Sequence, residues 1–182
     1  MAGFSVEQLQ AQVPRLRRYA RALTGNREAA DDLTQDTLER AWNKRGLWDD
    51  QPVADASAPP SLRAWLYTVM HNVFINSTRR KRPVESLDDL AQPEAALGAA
   101  AASAETHAAL RDLQRALLQL SDEQREVVLL VGLEQLTYAE AAQALGVPIG
   151  TVMSRLSRGR ERLRDLLDGA AGDTRGALRR VK

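Results

Sequence analysis

The sequence predicts an all-α protein of two small helical domains joined by a flexible linker, the C-terminal domain containing a helix-turn-helix. Apolar residues recur at helical spacing on both sides of residues 83–106, and that stretch itself has almost nothing to pack. A capped short helix, a tight turn and an arginine-rich helix follow one another over residues 137–163. We therefore expect a first domain over 1–82, an acidic alanine-rich linker over 83–106, a second domain over 107–168 and a disordered basic tail over 169–182.

The N-terminal domain opens with a helix whose apolar residues share one face: Leu9, Val13, Leu16, Ala20 and Leu23. Pro14 has no backbone N–H, so the helix is expected to start or kink there. Thr24-Gly25 ends this segment, and Asn26 can cap a second helix that runs to about Lys44. The apolar face predicted for the second helix consists of Ala30, Leu33, Leu38, Ala41 and Trp42.

A second face of that helix is acidic. The residues that form it have i, i+3, i+4, i+7 spacing, and we call them the acidic stripe: Asp32, Gln35, Asp36 and Glu39. Such a stripe is usually solvated surface, and docking of a basic partner helix is the functional alternative. The residues alone leave both interpretations open.

Residues 49–60 are rich in Pro, Asp, Ala and Ser and predict a loop. Ser61 then caps a long third helix over 62–82. Its predicted core face is Leu62, Leu66, Val69, Met70 and Val73, and a second stripe combines Trp65, Thr68, Asn72, Asn76 and Arg79 beside the basic end that includes Arg80. Aromatic, amide and basic groups in one row suit stacking on unpaired bases and holding phosphates. The alternative is that Trp65 belongs to the core and the asparagines are ordinary surface.

The linker is predicted from its breaks and its charge. Pro83 stops the third helix, Pro93 interrupts the segment after it, and residues 83–106 contain five acidic residues with no lysine or arginine. A stable alanine-rich helix docked between the domains is the alternative interpretation.

The helix-turn-helix is the most specific pattern in the chain. Thr137 and Glu140 form a capping box at the start of its first helix, and Gly146 can adopt the left-handed conformation that ends that helix. Pro148 suits the opening of the second helix. The buried face predicted for that helix consists of Val152, Leu156, Gly159 and Leu163.

Another face of the second helix combines small hydroxyls with arginines. We call it the recognition face, and its members are Thr151, Ser154, Arg155, Ser157, Arg158 and Arg162. Hydroxyls near a helix N-terminus with arginines behind them suit base edges and phosphates in a DNA major groove. A solvated basic helix on an ordinary bundle is the alternative, and the capped first helix with its Gly-Val-Pro turn favours DNA binding.

Several classes of function are not expected. The chain has no cysteine, and His71 and His107 are far apart in sequence, so we predict no metal site. There is no glycine-rich phosphate loop and no nucleophile with a base at motif spacing, so we predict no catalytic residues, cofactor or small-molecule substrate. Without a long apolar stretch or a secretory signal, a cytoplasmic protein that does not insert into membranes is expected.

Taken together, these motifs resemble the extracytoplasmic-function (ECF) group of sigma-70-type bacterial RNA polymerase sigma factors. Residues 29–42 are similar to region 2.2, which implies that the acidic stripe binds the β′ clamp helices of core RNA polymerase. Residues 63–67 and 72–79 resemble regions 2.3 and 2.4, which open and read the −10 promoter element, and the loop 49–61 lies where the family captures a flipped base. Residues 120–130 and 137–163 resemble region 4, which implies contact with the β flap and reading of the −35 element.

The resemblance implies an alternative sigma factor that directs promoter-specific initiation and is held inactive by an anti-sigma factor. Two rivals stay open: a sigma-like decoy that sequesters an anti-sigma factor, and a helix-turn-helix repressor. A decoy should have lost its basic face, whereas Arg155 and Arg158 are present, and a repressor leaves residues 29–82 unexplained. Gly159 departs from the alanine common in the family, which is expected to soften the recognition helix by roughly 1 kcal/mol.

Overall fold

The computed structural model describes the backbone over residues 3–48, 61–80 and 104–178, and side chains over 3–48, 61–77 and 105–169. All regular elements in these ranges are helical, which confirms the all-α prediction. The helices are α1 Val6–Thr24, α2 Arg27–Asn43, α3 Leu62–Arg80, α4 Ala104–Leu118, α5 Asp122–Val128, α6 Tyr138–Leu145 and α7 Ile149–Leu178. A 3₁₀ turn at Arg45–Leu47 follows α2, and a π-helical turn at Leu129–Leu133 follows α5. The predicted loop over 49–60 lies outside the described residues.

Helix α1 starts earlier than predicted, and Pro14 lies within it. Ser5 caps the helix: its Oγ accepts from the Gln8 backbone N–H at 3.3 Å, while Gln8 Oε1 accepts from the Ser5 N–H at 2.8 Å. Pro14 and Gln10 are both exposed, so water can hydrate the Gln10 carbonyl that the missing N–H leaves unpaired. The expectation that the helix begins or kinks at Pro14 was wrong about its start. Gly25 ends the helix with φ 70°, as predicted.

Helix α2 is capped by Asn26, whose Oδ1 accepts from the Ala29 N–H at 2.9 Å, as predicted. Its apolar face was predicted incorrectly at one end. Trp42 is exposed, with the Arg45 guanidinium 4.5 Å above its ring. Thr34 and Thr37 are buried in its place, because each hydroxyl donates at 2.7 Å to the backbone carbonyl four residues earlier and so enters the core satisfied.

Helix α3 supplies the centre of the N-terminal half, residues 3–80. Ser61 caps it, with Oγ accepting from the Ala64 N–H at 3.3 Å. Leu66 and Met70 are fully buried, and Val69 and Val73 accompany them, which confirms the predicted core face. Trp65 joins the core through Phe4 and Trp48, with ring centroids 5.5 and 5.8 Å away.

The C-terminal half, residues 104–178, contains the predicted helix-turn-helix in α6 and α7. Helix α4 begins at Ala104, so the last residues of the predicted linker form its first turn. The rest of that linker lies outside the described residues. Helix α7 continues to Leu178, so the predicted disordered tail from 169 is helical as far as it is described.

The two halves pack against each other. Helix α1 contacts α4, α5 and the π-helical turn, and α3 contacts α6. Buried residues of both halves therefore form one continuous apolar cluster. Two domains were predicted from the sequence, whereas this contact between them was not.

Candidate functional surfaces

The acidic stripe of α2 faces solvent. Asp32, Gln35, Asp36 and Glu39 are all exposed. The opposite side of the helix is fixed by Ala30 and Ala41, which are fully buried against the neighbouring helices. Packing thus sets the orientation of α2 and leaves a row of carboxylates available to a basic partner.

The start of the helix-turn-helix has the predicted capping box. Thr137 Oγ1 accepts from the Glu140 N–H at 3.2 Å, and Glu140 Oε2 accepts from the Thr137 N–H at 2.8 Å. Gly146 ends α6 in the left-handed region with φ 64°. The turn to α7 is therefore built locally, from residues whose conformations the sequence specifies.

Helix α7 is held in place by its buried face. Val152, Leu156 and Gly159 are buried and Leu163 is partly buried, as predicted. A Cβ at Gly159 would lie 2.9 Å from Val128 Cγ2, so glycine allows α7 to approach α5 closely. Gly159 therefore has a packing role in addition to its expected destabilising effect on the recognition helix.

The recognition face is partly exposed and partly engaged. Ser157, Arg158 and Arg162 are exposed, whereas Thr151, Ser154 and Arg155 are half-buried. Arg155 pairs with Glu123 of α5 at 2.9 Å between Nη2 and Oε2. This pair holds one predicted DNA-binding guanidinium against the domain, while Arg158 and Arg162 remain exposed.

The second stripe of α3 is divided between surface and core. Asn72 and Asn76 are exposed, but Trp65 is only 8% exposed and lies between Phe4 and Trp48. This conformation therefore does not present Trp65 for base stacking. Arg79 and Arg80 belong to the last turn of α3, and their side chains lie outside the described ones.

Two buried carboxylates with partly buried basic partners join the two halves, and the sequence did not predict them. Arg18 Nη2 of α1 donates to Glu134 Oε1 at 2.7 Å, and Nε of the same guanidinium donates to that oxygen at 3.2 Å. His71 Nδ1 of α3 lies 2.7 Å from Glu126 Oε1 of α5. Glu134 is 1% and Glu126 2% exposed, so both carboxylates depend on the N-terminal half for a partner. We call these four residues the seam.

Two tyrosines pack beside the seam, and its carboxylates contribute to raising their pKa values. The rings of Tyr19 and Tyr67 lie 5.0 Å apart. Burial, with Glu126 as the next contribution, raises the pKa of Tyr19 well above its usual value. Burial and the neighbouring Glu134 raise the pKa of Tyr67 in the same direction. Both phenols therefore stay neutral beside the carboxylates.

Arg125 extends this contact at the ends of two helices. Its guanidinium donates to the carbonyls of Leu23 at 2.8 Å, Leu117 at 2.9 Å and Leu120 at 3.0 Å. Burial lowers the pKa of Arg125, and Asp122 opposes that effect. Because these carbonyls lie at the C-terminal ends of α1 and α4, one buried cation satisfies acceptors from both halves.

Other kinds of site are not evident in the part of the chain that the structure covers. Within it, no group of three or more His, Cys, Asp or Glu side chains could hold a metal ion. None of the helices in the described ranges is both long and apolar enough to cross a bilayer. The acidic stripe, the recognition face and the α3 surface are thus the features that point to function.

Comparison with known proteins agrees with this arrangement. Residues 9–71 match the family described as the Sigma2 domain of PhyR, and residues 110–163 match Sigma-70, region 4. The chain is 36% identical over 163 residues to the ECF RNA polymerase sigma factor EcfG of Rhodopseudomonas palustris (strain TIE-1), covering 88% of this chain and 84% of that protein. The chain belongs to the ECF sigma factors.

Further relatives and structures support membership. This ECF sigma factor is 38% identical over 144 residues to SigL of Mycobacterium tuberculosis (strain ATCC 25618 / H37Rv), covering 76% of this chain and 75% of that protein. It is similar to the sigma factor RpoE bound to the anti-sigma factor NepR from Bartonella quintana, with 32% identity, a TM-score of 0.68 and coverage of 89% and 95%. It is also similar to CnrH in complex with the cytosolic domain of CnrY, with 25% identity, a TM-score of 0.61 and coverage of 90% and 86%.

Proposed function

We propose that this ECF sigma factor binds core RNA polymerase through the acidic stripe and reads two promoter elements with its two halves. The observation that carries the proposal is the pairing of an exposed carboxylate row on α2 with a capped helix-turn-helix that presents Arg158 and Arg162. The first surface suits a basic helical partner, and the second suits a DNA major groove. Such a protein positions a polymerase and performs no covalent chemistry of its own.

We assign the −35 element to the recognition face. Arg158 and its neighbours would contact phosphates and base edges, each good bidentate base contact contributing about 1–3 kcal/mol. The −10 element belongs to α3, where Asn72 and Asn76 are exposed. Stacking of unpaired bases contributes about 1–3 kcal/mol per base in proteins of this kind, and preferential binding of the open strand favours melting. Trp65 could take part only if Phe4 or Trp48 moves.

The polymerase contact can be tested directly by co-purification with core RNA polymerase of the source organism. Asp36→Ala with Glu39→Ala should weaken core binding strongly, because it removes two exposed carboxylates from the stripe. Asp31→Asn is the matched control, since Asp31 lies beside the stripe on α2 and faces Arg21 at 4.0 Å. Unchanged core binding by the double variant would remove the stripe from the proposal.

We also propose an anti-sigma partner. The structure of the sigma factor RpoE with the anti-sigma factor NepR supports it, since RpoE resembles this chain over most of its length. CnrH, which was solved in complex with the cytosolic domain of CnrY, resembles the chain over a similar length. Pull-down from the native host under non-inducing conditions should recover a protein that competes with core polymerase. Repeated recovery of the free chain or of a polymerase complex alone would contradict this part.

A decoy is the second candidate, because the N-terminal half matches the Sigma2 domain of PhyR, and the PhyR of Bartonella quintana is named an anti-anti-sigma factor. The arginine-bearing recognition face and relatives named as sigma factors across both halves favour the first candidate. Core binding decides between them, because a decoy has no need to bind polymerase.

A further inference from the structure

The composition of the seam suits a contact at which the two halves of the protein can separate and reassociate. Glu134 and Glu126 are almost completely buried, and their partners Arg18 and His71 both come from the other half. If the halves separate, all four groups become hydrated and none remains buried without a partner. Interfaces between domains that come apart are more polar than permanent ones, and the seam adds ionisable groups to the apolar cluster that the two halves share.

Backbone contacts extend the seam along the end of α1. Arg125 Nη1 donates to the Leu23 carbonyl at 2.8 Å, and Gln114 Nε2 donates to the Ala22 carbonyl at 3.2 Å. These carbonyls belong to the last turn of α1, where no intrahelical N–H is available and water can replace the donors. The C-terminal half therefore caps a helix of the N-terminal half, in a manner that solvent can reproduce.

The closed contact also places the two DNA-reading elements against each other. Helix α6 lies between α7 and α3, with Ala141, Ala144 and Leu145 buried. In a bound helix-turn-helix the first helix crosses the DNA backbone, so its neighbour must leave room for the duplex. The acidic stripe, in contrast, lies on the outer face of α2 and stays exposed in the closed form.

We infer that the closed arrangement is a resting state in which the C-terminal half is the intramolecular partner of the N-terminal half. Core polymerase can engage the stripe in this state, whereas simultaneous reading of two separate promoter elements requires the seam to open. This inference rests on the proposed function and adds an intrinsic restraint that acts without any anti-sigma factor.

A reversible disulfide tests it, and the chain has no cysteine of its own. A Cβ at Gly25 would lie 3.1 Å from Leu118 Cγ across the contact between the halves. Cysteines at the two positions, Gly25→Cys and Leu118→Cys, should therefore be within reach of a bond, which needs Cβ atoms about 3.5–4.5 Å apart. Oxidation should lock the closed form, and mass spectrometry would verify the bond.

The expected result is at least a tenfold loss of promoter-specific transcripts in the oxidised double variant and recovery on reduction. The single Leu118→Cys variant, which leaves Gly25 in place and is treated identically, should not change, and the reduced double variant is the reference for the strain at position 25. Full activity of the locked protein, or failure of the cysteines to pair, would overturn the inference. The reduced and unmodified proteins test the proposed function separately, because they should support transcription whether or not the seam restrains the protein.

Opening variants supply an independent readout in solution. Arg18→Ala with His71→Ala should increase the radius of gyration in small-angle X-ray scattering, because both buried carboxylates lose their partners. Arg17→Ala is the matched control, since Arg17 is an exposed arginine adjacent on α1. Folding is checked by circular dichroism, and a folded double variant as compact as the control would contradict the closed restraint.

Discussion

Arg18 and Glu134 are 116 residues apart in sequence, yet the guanidinium of one donates to the buried carboxylate of the other at 2.7 Å. The pair joins the helix that opens the chain to the turn that precedes the helix-turn-helix. It shows that the two halves of this ECF sigma factor form a specific contact with each other.

Loss of Arg18 should destabilise the protein. Arg18→Ala leaves the Glu134 carboxylate buried without its cation, and the cost is expected to be about 1–3 kcal/mol in the free energy of unfolding. Urea denaturation followed by circular dichroism measures it. Arg17→Ala should stay within about 0.5 kcal/mol of the parent, as for an ordinary surface substitution. Equal effects of the two variants would contradict a structural role for the pair.

The buried phenol of Tyr67 should produce an alkaline loss of stability. Its pKa is raised in the folded protein, so its contribution is complete below the unfolded value of about 10 and declines as pH rises above that value. Tyr67→Phe should reduce this decline in urea titrations between about pH 9 and 11. Tyr138→Phe changes an exposed phenol and serves as the control. Identical pH dependence in the parent and Tyr67→Phe would be evidence against the raised pKa.

Alanine substitutions at Gly25 and Gly146 distinguish the cost of backbone strain from the cost of a steric clash. Both have positive φ, so alanine at either position should cost about 1–2 kcal/mol. A Cβ at Gly25 would also lie 2.5 Å from Leu118 Cδ1, whereas a Cβ at Gly146 would have no neighbouring heavy atom within 4 Å. Gly25→Ala should therefore cost about 1–3 kcal/mol more in the free energy of unfolding, as for overpacked contacts. Equal destabilisation by the two alanine substitutions would show that the Leu118 side chain of α4 moves aside at little energetic cost.

Glu123 should compete with DNA for Arg155. The two groups are 2.9 Å apart, and Glu123 is largely exposed. Glu123→Gln should raise affinity for promoter duplex about 1.4- to fivefold at low salt, since exposed pairs contribute about 0.2–1 kcal/mol. Asp112→Asn, which removes a comparable partner from Arg115, is the control. Fluorescence anisotropy at two salt concentrations measures the effect, which salt should diminish. Weaker binding by the glutamine variant would instead indicate that Glu123 positions Arg155.

Local features of this fold were predictable because they depend on residues a few positions apart. The caps at Asn26, Ser61 and Thr137 and the turn at Gly146 all follow from side chains bonding within three residues or from a permitted φ. The same holds for the buried face of α7, which periodicity specifies. Local signals failed at Pro14, because solvent exposure decided whether the helix tolerated it.

The contact between the halves could not be predicted, since it pairs residues that the sequence separates widely. His71 and Glu126 are 55 positions apart, and each has an ordinary surface interpretation when taken alone. Trp65 and Trp42 show the same limit. Either tryptophan could have faced the core, and tertiary packing with Phe4 and Trp48 buried the first, while Trp42 remained at the surface under Arg45.

Promoter-specific initiation can be measured by run-off transcription with purified core polymerase on promoter fragments of the source organism. We expect specific transcripts that disappear in Arg155→Ala/Arg158→Ala and persist in Arg160→Ala, which changes an exposed arginine of α7 outside the recognition face. Specific transcripts that survive the double substitution, or no binding of core polymerase by the unmodified chain, would contradict the proposed function.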